Sequence, residues 1–178
     1  MKFRCKNLLV TGGAGFIGSN FIEYLFNKYQ DLNIYNLDLL TYAGDLSNTK
    51  KFSSNKKYNF IQGNISDEVL LDKIFKDHKI DGVINFAAES HVDTSIKNPE
   101  IFIETNVIGV YKLLHACYKN WMISNFEYKS NFKHSRFHQI STDEVYGSII
   151  SGSFTEEDVC KPNSPYSASK ASSDHLVQ

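Results

Sequence analysis

Short apolar runs alternate along this chain with longer segments whose apolar residues recur every three or four positions. Runs at 7–11, 33–38, 58–62, 82–86 and 137–141 have strand length. Helical spacing covers 15–29, 66–76 and 99–121, and a last helix starts within 162–165 and runs to the end. Ser66 reads as an N-cap, with Asp67 and Glu68 in the first turn. Pro99 stands near the first turn of the long helix, where its missing N–H is harmless. Residues 41–57, with Gly44, Ser47, Asn48, Ser53 and Ser54, read mainly as loop with room for a short helix. Residues 124–135, rich in Asn, Lys and Ser, read as an exposed excursion. Strands separated by helices pair in parallel through right-handed crossovers. The expected class is therefore α/β: a doubly wound parallel sheet in the order 3-2-1-4-5, with a ligand crevice where the order reverses between strands one and four.

The first strand ends in Val10-Thr11-Gly12-Gly13-Ala14-Gly15-Phe16-Ile17-Gly18. Two glycine spacings overlap there, Gly13-x-Gly15-x-x-Gly18 and Gly12-x-x-Gly15-x-x-Gly18. A glycine turn between strand and helix lets a pyrophosphate approach the backbone, and the helix start offers it free N–H groups. Asp38 lies 20 residues past Gly18 at the end of the second strand, where a carboxylate can hold a ribose diol. Leu39 and Leu40 follow, and no Arg is there to receive a 2′-phosphate, which favours NAD over NADP. The alternative is a tight turn with no ligand; the acidic partner at the right distance argues against it.

Composition narrows the classes. A length of 178 residues suits one α/β domain, and 42% hydrophobic with 22% charged residues is ordinary for a globular chain. A formal net charge of -1 gives no footing for nucleic acid or an anionic membrane. Cys5, Cys117 and Cys160 form no pair or metal-ligand spacing, so no metal and a reducing compartment are expected. Residues 1–6 lead directly into the first strand, leaving no room for a signal peptide, and no apolar run approaches the ~18 residues of a membrane span. Cytoplasm is the expected location. No Gly, Asn or Pro follows Leu176-Val177, so the chain reads as cut inside a helix.

Tyr166-Ser-Ala-Ser-Lys170 places a phenol and an ammonium one helical turn apart. A nearby cation lowers a phenol's pKa, so the pair can supply a general base. Taken alone, such a pair is more often a surface contact. The glycine turn upstream and Ser141-Thr142 at the end of strand five reverse that balance.

Together these features resemble the extended short-chain dehydrogenase/reductase superfamily, built on nicotinamide-binding Rossmann domains. Longer strings narrow the likeness. Asp38-Leu-Leu-Thr41-Tyr42-Ala43-Gly44, Ala87-Ala88-Glu89-Ser90-His91-Val92-Asp93 and Phe102-Ile-Glu-Thr105-Asn106-Val107 are similar to the dTDP-glucose 4,6-dehydratase family. So are Ser141-Thr142-Asp143-Glu144-Val145-Tyr146-Gly147 and the segment from Ser164-Pro165-Tyr166 to Asp174-His175. The resemblance implies that residues 1–178 are an NAD-binding Rossmann domain whose C-terminal nucleotide-sugar domain is missing.

The resemblance also implies roles. The reaction would be NAD-dependent dehydration of dTDP-glucose to dTDP-4-keto-6-deoxyglucose, in deoxysugar biosynthesis such as that of rhamnose. Tyr166 with Lys170 would deprotonate the sugar 4-hydroxyl, Thr142 would hydrogen-bond the 4-oxygen, Glu144 would remove the C5 proton, and Asp143 would protonate the departing C6 oxygen. Adjacent carboxylates in different surroundings can divide such acid and base work. For NAD it implies the glycine turn (Gly12, Gly15, Gly18), Phe16 and Ile17 at the pyrophosphate, Asp38 on the adenosine ribose with Leu39, Leu40 and Thr41 beside it, and Asn64 and Ile65 at the adenine. Phe86, Ala87 and Ala88 would follow along the pyrophosphate and ribose, and Thr105 would lie near the nicotinamide with Tyr166 and Lys170. Ser90 and His91 would lie near the substrate with Thr142, Asp143 and Glu144. A homodimer is expected of the full-length protein, through the helix from Pro99 and the helix carrying Tyr166. Asn64 stands where the family usually has Asp, Thr94 where it has Arg, and Leu39 where it has Lys. The competing readings are another nucleotide-sugar dehydratase, a 4-epimerase, or an NAD-binding fragment without turnover. Epimerases normally carry small, uncharged residues where Asp143-Glu144 stand.

Overall fold

The structure, a computed structural model, describes residues 5–178. Residues 1–4, on which part of the signal-peptide expectation rests, lie outside the described residues. Five parallel strands form the central sheet: β1 (Asn7–Thr11), β2 (Asn33–Asp38), β3 (Tyr58–Gln62), β4 (Gly82–Asn85) and β7 (Arg136–Gln139). Their order, β3-β2-β1-β4-β7, is the doubly wound Rossmann-type order expected from the chain. The register places Leu9 of β1 between Tyr35 of β2 and Val83 of β4.

Side chains alternate across the sheet, so each strand feeds two cores. Leu8, Val10 and Ile34 pack on one face with Ile22 and Leu25 of α1 (Phe16–Lys28). Leu9, Leu37 and Val83 pack on the other with Leu71, Ile74 and Phe75 of α2 (Glu68–His78) and Leu113, Cys117 and Trp121 of α5 (Val110–Trp121). Both faces are covered, as a parallel sheet requires. The C-terminal ends of β1, β2 and β4 then open together onto one edge.

Several boundaries differ from expectation. Asp67, not Ser66, caps α2 by accepting from the Leu70 N–H at 3.0 Å. The Ser66 N–H is taken by the Asn64 side chain at 2.9 Å, which holds Ser66 in a turn ahead of the helix. A six-residue helix, α3 (Val92–Lys97), precedes Pro99. The long helix is not uniform: α4 (Glu100–Phe102) passes into a π-helical turn (Ile103–Gly109) and then α5. Residues 124–135 are mostly exposed, but they contain part of a small hairpin of β5 (Met122–Ser124) and β6 (Glu127–Tyr128) and a 3-10 turn (Ser130–Phe132). The polar segment 41–57 holds one 3-10 turn (Leu46–Thr49). The last helix, α6 (Pro165–Val177), starts at a reciprocal Ser164/Ser167 capping box. Among the described residues no helix is long and apolar enough to cross a membrane.

Candidate active site

The glycine turn is built by close packing of backbone. Gly12 has φ +68°, and a Cβ there would lie 2.6 Å from the Ala87 nitrogen. A Cβ on Gly18 would lie 2.4 Å from the Gly12 carbonyl oxygen. These two glycines let β1, β4 and α1 meet. Gly15 is different: its nearest neighbour would be the Gly12 oxygen at 3.3 Å, and it lines a cleft. Gly15 is also the N-cap of α1, where no side chain caps the helix and no acid stands in the first turn. That leaves a helix start suited to an anionic group. Phe16 and Ile17 are exposed beside it.

Asp38 ties this turn to the next loop. One carboxylate oxygen accepts the Ala14 N–H at 2.8 Å and the other the Leu40 N–H at 2.8 Å. Leu40 reaches that position with φ 58°, an unfavourable conformation for a residue with a side chain. Gly44 packs so close that a Cβ would sit 2.8 Å from an Asp38 oxygen. A carboxylate has about four acceptor positions, so Asp38 retains capacity for a diol. The Ala14 carbonyl accepts from the Asp45 N–H at 3.1 Å and the Asn48 side chain at 2.9 Å, which fixes the loop to the glycine turn.

The cleft has a volume of about 400 Å³. Of the residues singled out from the sequence, Gly12, Gly15, Phe16, Ile17, Gly18, Asp38, Leu39, Thr41, Asn64, Ile65, Phe86, Ala87, Ala88, Ser90, Thr105, Tyr166 and Lys170 line it. Leu40 stands outside the lining, packed beside Gly44. His91 stands outside the lining, its ring 5.5 Å from that of Tyr42. Thr142, Asp143 and Glu144 also stand outside it, on a 3-10 turn (Asp143–Tyr146) whose N-cap is Thr142. The two carboxylates have different surroundings, Asp143 exposed and Glu144 half-buried.

Tyr166 brings that turn and the cleft together. Burial pushes its phenol above the ordinary value, a hydrogen bond with the Thr142 side chain pulls it down, and the Glu144 and Asp143 charges push it up. The expectation that Lys170 lowers this phenol is therefore corrected. The Lys170 amine is directed to the Ile140 carbonyl, and burial lowers its own pKa to about 8. Asp174, one turn along α6, partly opposes that shift.

The lowered Lys170 value has a measurable consequence. Between pH 8 and 10.5 the unfolded lysine holds a proton that the folded one has released, so stability rises with pH across that window. Below about 8 both states are protonated and the burial penalty is fully present. Relative to Lys170→Met, the native chain is expected to gain about 3 kcal/mol as pH rises through the window, read by urea unfolding.

Among the residues the sequence reading did not assign to the site, Glu89 and Asn106 stand out. Glu89 lines the cleft and is only 7% exposed. Asn106, in the π turn, is fully buried and clamps the Glu89 backbone from both sides. Its side-chain oxygen accepts the Glu89 N–H and its amide donates to the Glu89 carbonyl, each at 2.9 Å, with a second donation to Ser169 of α6 at 2.9 Å. The available signal was an asparagine inside an apolar helical pattern. The departures at Asn64 and Thr94 fall differently. Asn64 still makes its local turn, and Thr94 is exposed on α3 outside the cleft.

The sequence and fold are similar to those of known proteins. The chain is 48% identical over 181 residues to a dTDP-glucose 4,6-dehydratase of Shigella flexneri, covering 96% of this chain and 49% of that protein. The crystal structure of the Streptomyces venezuelae dTDP-glucose 4,6-dehydratase, with NAD bound, is 43% identical at a TM-score of 0.83, covering 96% of this chain and 50% of that one. The Bacillus anthracis dTDP-glucose 4,6-dehydratase, in complex with NAD, is 44% identical at a TM-score of 0.79, covering 96% and 48%. The chain spans about half the length of the curated relatives it matches. The family model described as GDP-mannose 4,6 dehydratase matches residues 9–178. The chain belongs to the GDP-mannose 4,6 dehydratase family.

Proposed function

We propose that this chain carries the cofactor site and acid–base groups of an NAD-dependent dehydratase, a lyase that converts dTDP-glucose to dTDP-4-keto-6-deoxyglucose. The carrying observation is the meeting of two structures: a cleft of about 400 Å³ lined from Asp38 and the glycine turn to Tyr166 and Lys170, and beside Tyr166 a turn with two adjacent carboxylates. The cleft fits NAD. Gly15 leaves room at an uncapped helix start, Asp38 can accept the adenosine ribose hydroxyls, and the neutral Leu39–Leu40 pair offers nothing to a 2′-phosphate.

Gly12, Gly15, Gly18, Phe16 and Ile17 would border the pyrophosphate, and Leu40 would act through the loop that it shapes around Asp38. Thr41, Asn64 and Ile65 would border the adenosine, with Phe86, Ala87, Ala88 and Thr105 further along. Bound there, NAD supplies a hydride acceptor that is restored within the same turnover. Tyr166 takes the proton of the sugar 4-hydroxyl, and Lys170, mainly charged at neutral pH with a pKa of about 8, supplies positive charge on the same helix. Thr142 holds the 4-oxygen. Half-buried Glu144 removes the C5 proton, and exposed Asp143 delivers a proton to the leaving C6 oxygen. Ser90 and His91 border the sugar nucleotide.

In this reading residues 1–178 serve as the cofactor domain, and the nucleotide-sugar domain lies outside them. The protein acts in the cytoplasm as a homodimer, in a deoxysugar route such as that to rhamnose. The test is an assay of the complete protein with dTDP-glucose. A 4-keto product lacking the C6 hydroxyl, with no net NADH, is expected. Steady NADH accumulation, or C4 inversion with C6 unchanged, would overturn the proposal.

A further inference from the structure

The order of the sheet makes one side-chain contact informative. β1 lies between β2 and β4, and its C-terminal end is the glycine turn. Any contact between the loop after β2 and the loop after β4 on this edge must therefore pass over that turn. Tyr42 makes such a contact. Its ring lies 5.5 Å from that of His91, tilted by 42°, and its hydroxyl is near enough to the Glu89 carboxyl to pull that group's pKa down. Thr41 and Ala43 on one side, and Glu89 and Ser90 on the other, line the cleft beneath. The contact thus sits on the rim.

The two ends of this bridge are held unequally. Glu89 is buried, and its backbone is locked by Asn106 on both sides at 2.9 Å. Burial raises the Glu89 carboxyl pKa, while the nearby Tyr42 hydroxyl and His91 lower it. Tyr42 is 63% exposed, on a loop turned by left-handed Leu40 and tethered through Asp45 to Ala14. One end is fixed and the other can swing away with little packing to lose.

We propose that Tyr42, closing onto Glu89 and His91, is a clip across the crevice that gates entry and release of the dinucleotide. This rests on the NAD reading above. It gives a physical reason for a cofactor that stays through the cycle: release requires the Tyr42 contacts to break first. Tyr42 acts as a gate and takes no part in the chemistry.

Exchange of a fluorescent etheno-NAD on the complete protein tests this, by following its uptake and its displacement by excess NAD. Tyr42→Ala is expected to speed both entry and release by about tenfold, the effect of losing the ring contact and the hydroxyl's polar interaction from the closed state. Tyr42→Phe, which keeps the ring, should give a smaller change. Faster release with unchanged entry would make Tyr42 an ordinary contact and overturn the gate, as would unchanged release. If the native protein does not retain etheno-NAD or NAD at all, the dinucleotide reading falls and the clip with it. Melting temperatures recorded alongside should fall by no more than about 5 °C, the scale of one lost surface contact, because Tyr42 is exposed.

Discussion

Gly12→Ala is expected to destabilise the chain by about 3 kcal/mol and to abolish NAD binding, whereas Gly15→Ala should abolish binding with little loss of stability. The two glycines are three residues apart and serve different ends. At Gly12 the backbone is left-handed, and the new methyl would lie 2.6 Å from the Ala87 nitrogen and 2.8 Å from the Phe86 carbonyl carbon. Neither backbone atom can yield without moving β4. At Gly15 the nearest atom would be 3.3 Å away, and the residue borders the open cleft. Thermal unfolding should show a fall of about 10 °C for Gly12→Ala, and under about 3 °C for Gly15→Ala. Calorimetry should detect NAD binding in neither. Retention of native affinity by Gly15→Ala would remove the pyrophosphate from that position.

Tyr166→Phe is expected to lower kcat by roughly 100- to 10,000-fold while leaving NAD bound and the fold intact. The phenol is mostly buried, and its ring packs edge-on against Phe102 with centroids 6.3 Å apart. Phenylalanine keeps that contact and opens no cavity. The variant loses only the oxygen that meets Thr142 and feels Glu144 and Asp143. Single-turnover measurement on dTDP-glucose would isolate the chemical step. A variant with more than a tenth of native kcat would exclude Tyr166 as the base.

The sheet was legible from the chain because it depends on local pattern: each apolar run became a strand within two residues of its expected ends, and the order followed from the alternation with helices. The glycine turn and Asp38 were legible for the same reason, as spacing along one βαβ unit. What escaped depends on neighbours distant in sequence. Asn106 meets Glu89 and Ser169 across separations of 17 and 63 residues. The π turn adds about one residue to a helical repeat that apolar spacing resolves only coarsely. The Tyr166–Lys170 spacing put both groups on one helix face, but only the Ile140 carbonyl, 30 residues upstream, determines where the amine points. Ser66 was a sound cap by type, but the helix starts one residue later, where the Asp67 carboxylate takes the Leu70 N–H and Asn64 holds Ser66 in the preceding turn.

Asp38 also constrains how this site can evolve. A residue at 38 that welcomed an extra phosphate would have to give up the carboxylate that the Ala14 and Leu40 N–H groups share. The same step would loosen Leu40 from its left-handed conformation and open the tight packing against Gly44. Cofactor choice and loop architecture are thus written in one side chain. A switch of preference requires compensating changes on two loops at once, so single substitutions at 38 lead to broken intermediates.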